Sequence, residues 1–346
     1  MKMKRILSLL MAVMMMATLL AGCGNKDNSD ADQPNNSQNG DAPNDVGGDQ
    51  PTGGGKLTFI TGSETGTYYG FGTVLAGQIS DRTATTVTAI VGKGSQANIE
   101  ALDLGDAQLA FVQSDVMAYG YNGTSTFETA ITGFSTVAAL YMEQVQIITL
   151  DPNIKTVADL KGKTVSIGES GSGVYFNALD VLAAYDMSVN DITPTYQKFA
   201  DSTEALQDGK IDAAFIVAGA PTTAVTTLAA NRKVYVVELD DEHIDKLIAA
   251  SPYYSKNVIS GAAKEAYGLE ADATTVAVGA VIIARDDCDK WDVYNVVSGI
   301  FDSIDTLSHD KKNELSLDFA ASVTAVPYHP GAAQYFSENG YTVPTK

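Results

Sequence analysis

The 346-residue chain carries 42 acidic side chains against 22 basic ones, a formal charge of −20. No Lys/Arg cluster breaks that acidity, which argues against nucleic acid as a partner, since a phosphate backbone is held by a basic surface. The three histidines, His243, His309 and His329, lie far apart and form neither a metal-ligand spacing nor a pair with a serine nucleophile.

The chain opens with Lys2, Lys4 and Arg5, an apolar run from Ile6 to Leu20, and then Leu20-Ala21-Gly22-Cys23, which has the form of a bacterial lipobox. The run falls short of the about 20 apolar residues that span a bilayer. Residues 1–22 are therefore predicted to be a lipoprotein signal peptide, with Cys23 as the acylated anchor. The mature protein is expected outside the cytoplasm on the cell membrane, held by more than one acyl chain (palmitate or a similar acid). Losing Lys2, Lys4 and Arg5 takes the formal charge from −20 to −23. With Cys23 lipidated only Cys288 remains, so no internal disulfide forms. Residues 23–55 are Asn, Asp, Gly, Pro, Ser and Gln with almost no large apolar side chain, a composition expected to give a disordered tether.

From Leu57 onward apolar strands alternate with amphipathic helices, which predicts an α/β architecture. In chain order the expected strands are Leu57–Thr61, Thr86–Val91, Gln108–Val112, Val145–Leu150, Thr164–Gly168, Ala213–Val217, Val234–Leu239 and Val276–Ala284. The expected helices are Tyr68–Ile79, Ser95–Leu104, Val174–Tyr185, Thr222–Ala230 and Trp291–Leu307. About 290 residues is long for one core, and no composition break divides them, so two lobes joined by crossing strands are expected. The crossings are placed near Glu143–Ile147 and between about Leu239 and Val276. Lobe 1 would then comprise 56–146 and 276–346 and lobe 2 147–240, with 241–275 a second crossing whose lobe stays open.

Two segments, TGSETGTYYGFG at 61–72 and GESGSGVYFNA at 168–178, repeat one device: a strand, a Gly/Ser turn, an aromatic pair, then a helix. Each turn leaves backbone N–H groups and hydroxyls at the positive end of a helix, where anions are stabilised. Lying in different halves, the two suggest a ligand held between lobes. Ser63 and Thr67 belong to the first helix start, Ser95 and Asn98 to a second, Ser170, Ser172 and Gly173 to a third, and Thr222 to a fourth. Each of these residue types also serves as an ordinary helix N-cap. Tyr69 is the aromatic expected to wall the ligand, Lys93 is a candidate for a carboxylate, and Asp115 either pairs with a ligand ammonium or caps the helix that follows it. Gly92-Lys93-Gly94-Ser95-Gln96-Ala97 fits a dinucleotide fingerprint, yet it is displaced from the first strand–helix turn and sits in a secreted chain. No cofactor, metal or enzymatic activity is expected.

Eight segments in order carry a resemblance: Thr61–Gly72, Gly94/Ser95/Asn98, Gln113–Asp115, Leu140–Glu143, Asp159–Lys163, Gly171–Gly173, Gly219–Thr222 and Pro327–Ala332. Together they resemble the TAXI family, the solute receptors of a class of tripartite ATP-independent periplasmic (TRAP) transporters. The resemblance implies a two-lobed type II periplasmic-binding-protein fold. It also implies a cleft for a small carboxylate or amino acid such as glutamate, and delivery to a TRAP-type membrane permease. The chain departs from the family at Val174, where a threonine is usual, and at Ser260–Lys264, where the family usually has Pro-Ala-Gly-Thr-Tyr. A surface sensory receptor that reports occupancy to a signalling partner would share the same fold and cleft.

Overall fold

The computed structural model describes residues 53–346. The signal segment, Cys23 and the tether up to residue 52 lie outside the described residues.

The first strands and helices alternate as β1 (Lys56–Ile60), α1 (Thr67–Arg82), β2 (Thr86–Ile90), α2 (Ser95–Leu104), β3 (Leu109–Gln113) and α3 (Ser114–Asn122). A 16-residue strand, β4 (Phe134–Thr149), leads to the second set. That set is β5 (Thr164–Ser166), α4 (Gly173–Ala184), β6 (Thr193–Thr195), α5 (Phe199–Gln207), β7 (Ala213–Ala218), α6 (Thr223–Ala229) and β8 (Tyr235–Val236), followed by α7 (Asp241–Ala250), β9 (Ser255–Ile259) and α8 (Gly261–Tyr267). A second long strand, β10 (Ala273–Arg285), returns to α9 (Lys290–Phe301), α10 (Leu317–Ala320) and α11 (Pro330–Glu338).

All strands join one sheet in the order β2-β1-β3-β10-β4-β7-β5-β6, with β8 beside β4 and β9 beside β10. Read from either end, the order repeats. Strands β2, β1 and β3 are parallel and are followed by antiparallel β10, while β6, β5 and β7 are parallel and are followed by antiparallel β4. The two long strands pair with each other from Ala277↔Gln144 to Arg285↔Phe134. Each half thus borrows its last strand from the chain's passage to or from the other, which makes β4 and β10 the connection between lobes.

One core gathers α1, α9 and α11 around Phe59, Phe71, Leu75, Val296 and Phe336, on the first half. Another gathers Val165, Val181, Leu182, Phe215 and Leu247 on the second. Residues 241–275 pack with the second set, α7 against α4 and α8 against α6. At the start of the described chain, Asp292 on α9 accepts the N–H groups of Gly54 and Gly55, each at 2.8 Å, and the hydroxyl of Thr85 at 2.6 Å. Burial opposes its charge, but those donors outweigh it and hold the carboxyl below its usual range.

Several elements differ from the sequence expectation. Strand β4 begins at Phe134, well before Val145, because FSTVAALY is buried on both faces and so shows no alternation. Helix α9 ends at Phe301 and a separate 3₁₀ turn covers Ile304–Thr306, short of one helix to Leu307. The expected strand at 234–239 shrinks to two residues. The short helices α5, α7, α8 and α11 were not anticipated.

Candidate ligand site

The site lies where loops at the C-terminal ends of strands from both halves converge, the place where open α/β sheets form crevices. From the first half come the turn after β1 with Gly62, Ser63 and Gly66, the turn after β2 with Lys93 and Gly94, and Gln113 at the end of β3. From the second half come Glu169, Ser172 and Gly173 after β5, Gln197 and Lys198 after β6, and Val217 and Ala218 at the end of β7. They line a cleft whose empty space, open solvent at its mouth included, is about 500 Å³.

Helices α1, α2, α4 and α6 all start beside this seam, and none of them has a side-chain cap hydrogen bond at its N-cap residue. Ser172, the N-cap of α4, is the clearest case. Its hydroxyl is buried, lines the cavity and has no hydrogen-bond partner among the described residues. Across the cavity the Oε1 of Gln113, equally buried, also lacks a partner. Such orphaned polar atoms cost about 1–3 kcal/mol each unless a ligand or water meets them.

The halves touch around the cavity. Gly171 C=O accepts the N–H of Ala97 at 2.9 Å, and Gly219 C=O accepts the hydroxyl of Thr67 at 2.8 Å. Gly94 is in the left-handed region at φ 110°, and a β-carbon there would lie 3.0 Å from Cα of Ser172. Glycine is needed on both counts.

The floor is Glu143 on β4, 2% exposed, whose Oε2 accepts the phenol of Tyr68 at 2.6 Å. Burial pushes the Glu143 carboxyl up to about 8, against the opposing hydrogen bond from Tyr68. It therefore keeps its proton at neutral pH unless a cation joins it. Tyr68 is also fully engaged, stacked on Phe111 at 4.6 Å between ring centroids. At the rim Glu169 lies within the fields of Lys93 and Lys198, one from each half, although burial is the stronger effect and raises its carboxyl. The cavity thus offers amides and hydroxyls, two rim cations and a protonated floor carboxyl, a set suited to a compact polar ligand with an anionic group.

Of the residues expected from sequence, Ser63, Thr67, Lys93, Ser95, Ser172 and Gly173 line the cavity. The hydroxyl of Ser95 also accepts the N–H of Gln113 at 3.0 Å. Tyr69, Asn98, Asp115, Ser170 and Thr222 are not among the lining residues. Tyr69 turns away while its neighbour Tyr68 enters. Asn98 is a strut, its Nδ2 donating to Thr61 C=O at 2.6 Å and Phe111 C=O at 2.8 Å. Asp115 is buried behind the cavity against Asn177, and Ser170 is exposed on its turn. The Thr222 amide donates to the Tyr267 hydroxyl at 2.7 Å, and its own hydroxyl pairs with Gln146. Glu143, Gln113, Glu169 and the 197–199 segment were missed, and Tyr68 was ranked behind Tyr69. Glu143 did carry a signal, as a lone acid inside a long apolar run. Val174, where the TAXI pattern has a threonine, lines the cavity and supplies no hydroxyl.

The paired sheet halves, the two crossing strands and the seam cavity define the two-lobed type II periplasmic-binding-protein fold. The chain belongs to the NMT1-like family, whose model matches residues 59–340. Among solved structures it is similar to the alkanesulfonate-binding protein SsuA of Xanthomonas axonopodis pv. citri bound to MOPS, at 18% identity and TM-score 0.48 over 82% of this chain and 83% of that one. It is also similar to a putative L-cystine ABC transporter of Listeria monocytogenes, at 17% identity and TM-score 0.46 over 77% and 98% of the two chains. The GluR0 ligand-binding core in complex with L-glutamate matches at 11% identity and TM-score 0.45 over 75% and 97%.

Proposed function

We propose that this chain is an extracytoplasmic, lipid-anchored solute receptor of the TAXI type that captures a small carboxylate or amino acid, glutamate-like in size and charge, and hands it to a TRAP-type permease. The observation that carries the reading is the pair of buried, unpartnered atoms, Gln113 Oε1 and Ser172 Oγ, contributed to one cavity by opposite lobes. A ligand bridging them satisfies both and is released when the lobes part, as a carrier requires. The rim lysines Lys93 and Lys198 fit a carboxylate, and Ser63, Thr67 and Ser95 with the helix-start amides fit its remaining oxygens. Glu143 fits an ammonium group, since a cation there lets it ionise. The lipobox at Leu20–Cys23 and the eight TAXI-like segments support the anchor and the permease partner.

A thermal-shift screen of amino acids and small carboxylates on the purified protein tests this. A true ligand at about 100 times its Kd adds about 2.7 kcal/mol of stability. The reading fails if L-glutamate, other amino acids and C4–C6 dicarboxylates all leave the melting temperature unchanged.

A further inference from the structure

Behind the ligand cavity a second set of polar side chains closes the seam. Asp115 on α3 and Asp180 on α4 come from different lobes. Asn177 on α4 donates to Asp115 Oδ2 at 2.9 Å. The Tyr254 hydroxyl lies 2.8 Å from Asn177 Nδ2, 2.9 Å from Asp180 Oδ2 and 3.5 Å from Asp115 Oδ2. A phenol has one proton, so Tyr254 serves one carboxylate at a time. The Tyr119 hydroxyl stands 3.2 Å from Asp180 Oδ2 but 2.8 Å from Ser251 Oγ, so its proton is also contested. Asp115 Oδ1 and Asn177 Oδ1 are buried and have no hydrogen-bond partner among the described residues.

The groups facing Asp115 are Tyr119 of its own helix, Asp180 of α4, Tyr254 of the segment before β9 and, at longer range, Glu143 of β4. None is a cation. Lys246 of α7 lines the hollow beside Asp180 but is paired with Asp186 at 2.6 Å. Two ionised carboxylates in such surroundings repel each other with little screening. Burial, with the charge of Asp180 second, pushes the Asp115 carboxyl up to about 7.

We propose that Asp115, Asn177, Tyr254 and Asp180 form a proton-operated latch between the lobes, in which closure takes one proton from solvent onto the carboxyl pair and opening returns it. The latch touches no ligand-lining residue among these four, so it acts on the empty protein. The sign follows from linkage. The closed form binds the proton more tightly than the open form, where Asp115 is solvated and titrates near its ordinary 3.8. Closure is therefore most favoured in acid, weakens by about tenfold per pH unit as pH rises toward 7, and levels off above it.

Pulsed electron paramagnetic resonance on the full chain, without ligand, tests this. Spin labels at Val91→Cys and Tyr196→Cys, both exposed and on opposite lobes, in a Cys23→Ser, Cys288→Ser background report the width of the cleft. The short-distance population should dominate at pH 5 and decline to a plateau near pH 7–8. Asp115→Asn, which cannot ionise, should abolish the response. Asp180→Asn removes the repelling charge, so it should shift the plateau to lower pH, and it answers the question if Asp115→Asn does not fold. Distances that do not change from pH 5 to 9, or a parent-like response in both aspartate variants, would each overturn the latch.

Discussion

Gly173 and Gln113, on opposite lobes, stand so close that a β-carbon on the glycine would lie 1.9 Å from Oε1 of the glutamine and 2.8 Å from Oγ of Ser95. The first turn of α4 is therefore seated on the end of β3, and any side chain there has to displace the Gln113 amide. Gly173→Ala should hold the lobes apart and weaken ligand binding by more than about tenfold, about 1.4 kcal/mol. Its own lobe packing is untouched, so the melting temperature without ligand should change little. Titration calorimetry alongside thermal denaturation checks both; ligand binding at parental strength would show that the seam yields without loss.

Ser172 and Asn98 separate binding from folding. Ser172 has no hydrogen-bond partner among the described residues, so Ser172→Ala should leave stability within about 0.5 kcal/mol. Losing a hydrogen bond to a charged ligand should cost about 1.5–3 kcal/mol, roughly 10-fold to 150-fold in affinity. Asn98→Ala strands two buried carbonyls and should lose about 1–3 kcal/mol or more in denaturant unfolding. Its ligand affinity should stay near the parent value. The reverse pattern would exchange their roles.

Glu143 links stability to pH. Its carboxyl sits at about 8 in the folded protein against an ordinary 4.5, so the folded state holds the proton more tightly and loses stability as pH rises between those values. Within that window one such group changes stability by up to about 1.4 kcal/mol per pH unit. Glu143→Gln keeps the shape without the titration, and its loss of stability from pH 5 to pH 8 in urea unfolding should be visibly smaller than the parent's. Equal losses would mean that Glu143 is ionised in the fold.

Cys23 is expected to carry the anchor. Cys23→Ser should release the protein from membranes or block removal of residues 1–22, both visible by cell fractionation and intact mass. A processed Cys23→Ser protein that still sediments with membranes would rule the lipid anchor out.

The alternation of strands and helices, and the helix-start turns at 61–67, 92–95 and 168–173, were legible because Gly, Ser and apolar runs mark them locally. The first part of β4 was not, since residues buried on both faces carry no period. Within the site, residue type showed which side chains could bond an anion but not toward what they point. Asn98 and Thr222 have the same chemistry as Ser172, yet the partners that claim them, Phe111 C=O and Tyr267, stand on other elements. Gln113 was passed over for the opposite reason, because a strand-end glutamine reveals itself only once the other lobe covers it, whereas Glu143 stood out as a lone acid in an apolar run.

The two glycine amides gathered by Asp292 fix where a mechanical load enters the molecule. Tension on the chain ahead of residue 53 runs through Gly54 and Gly55 into α9 and β1, and so into the first lobe alone. The second lobe is joined to it through β4 and β10 and through the contacts at the seam. Were the chain anchored through its N-terminal segment as proposed, it would be held by one jaw, and the other would stay free to open and shut.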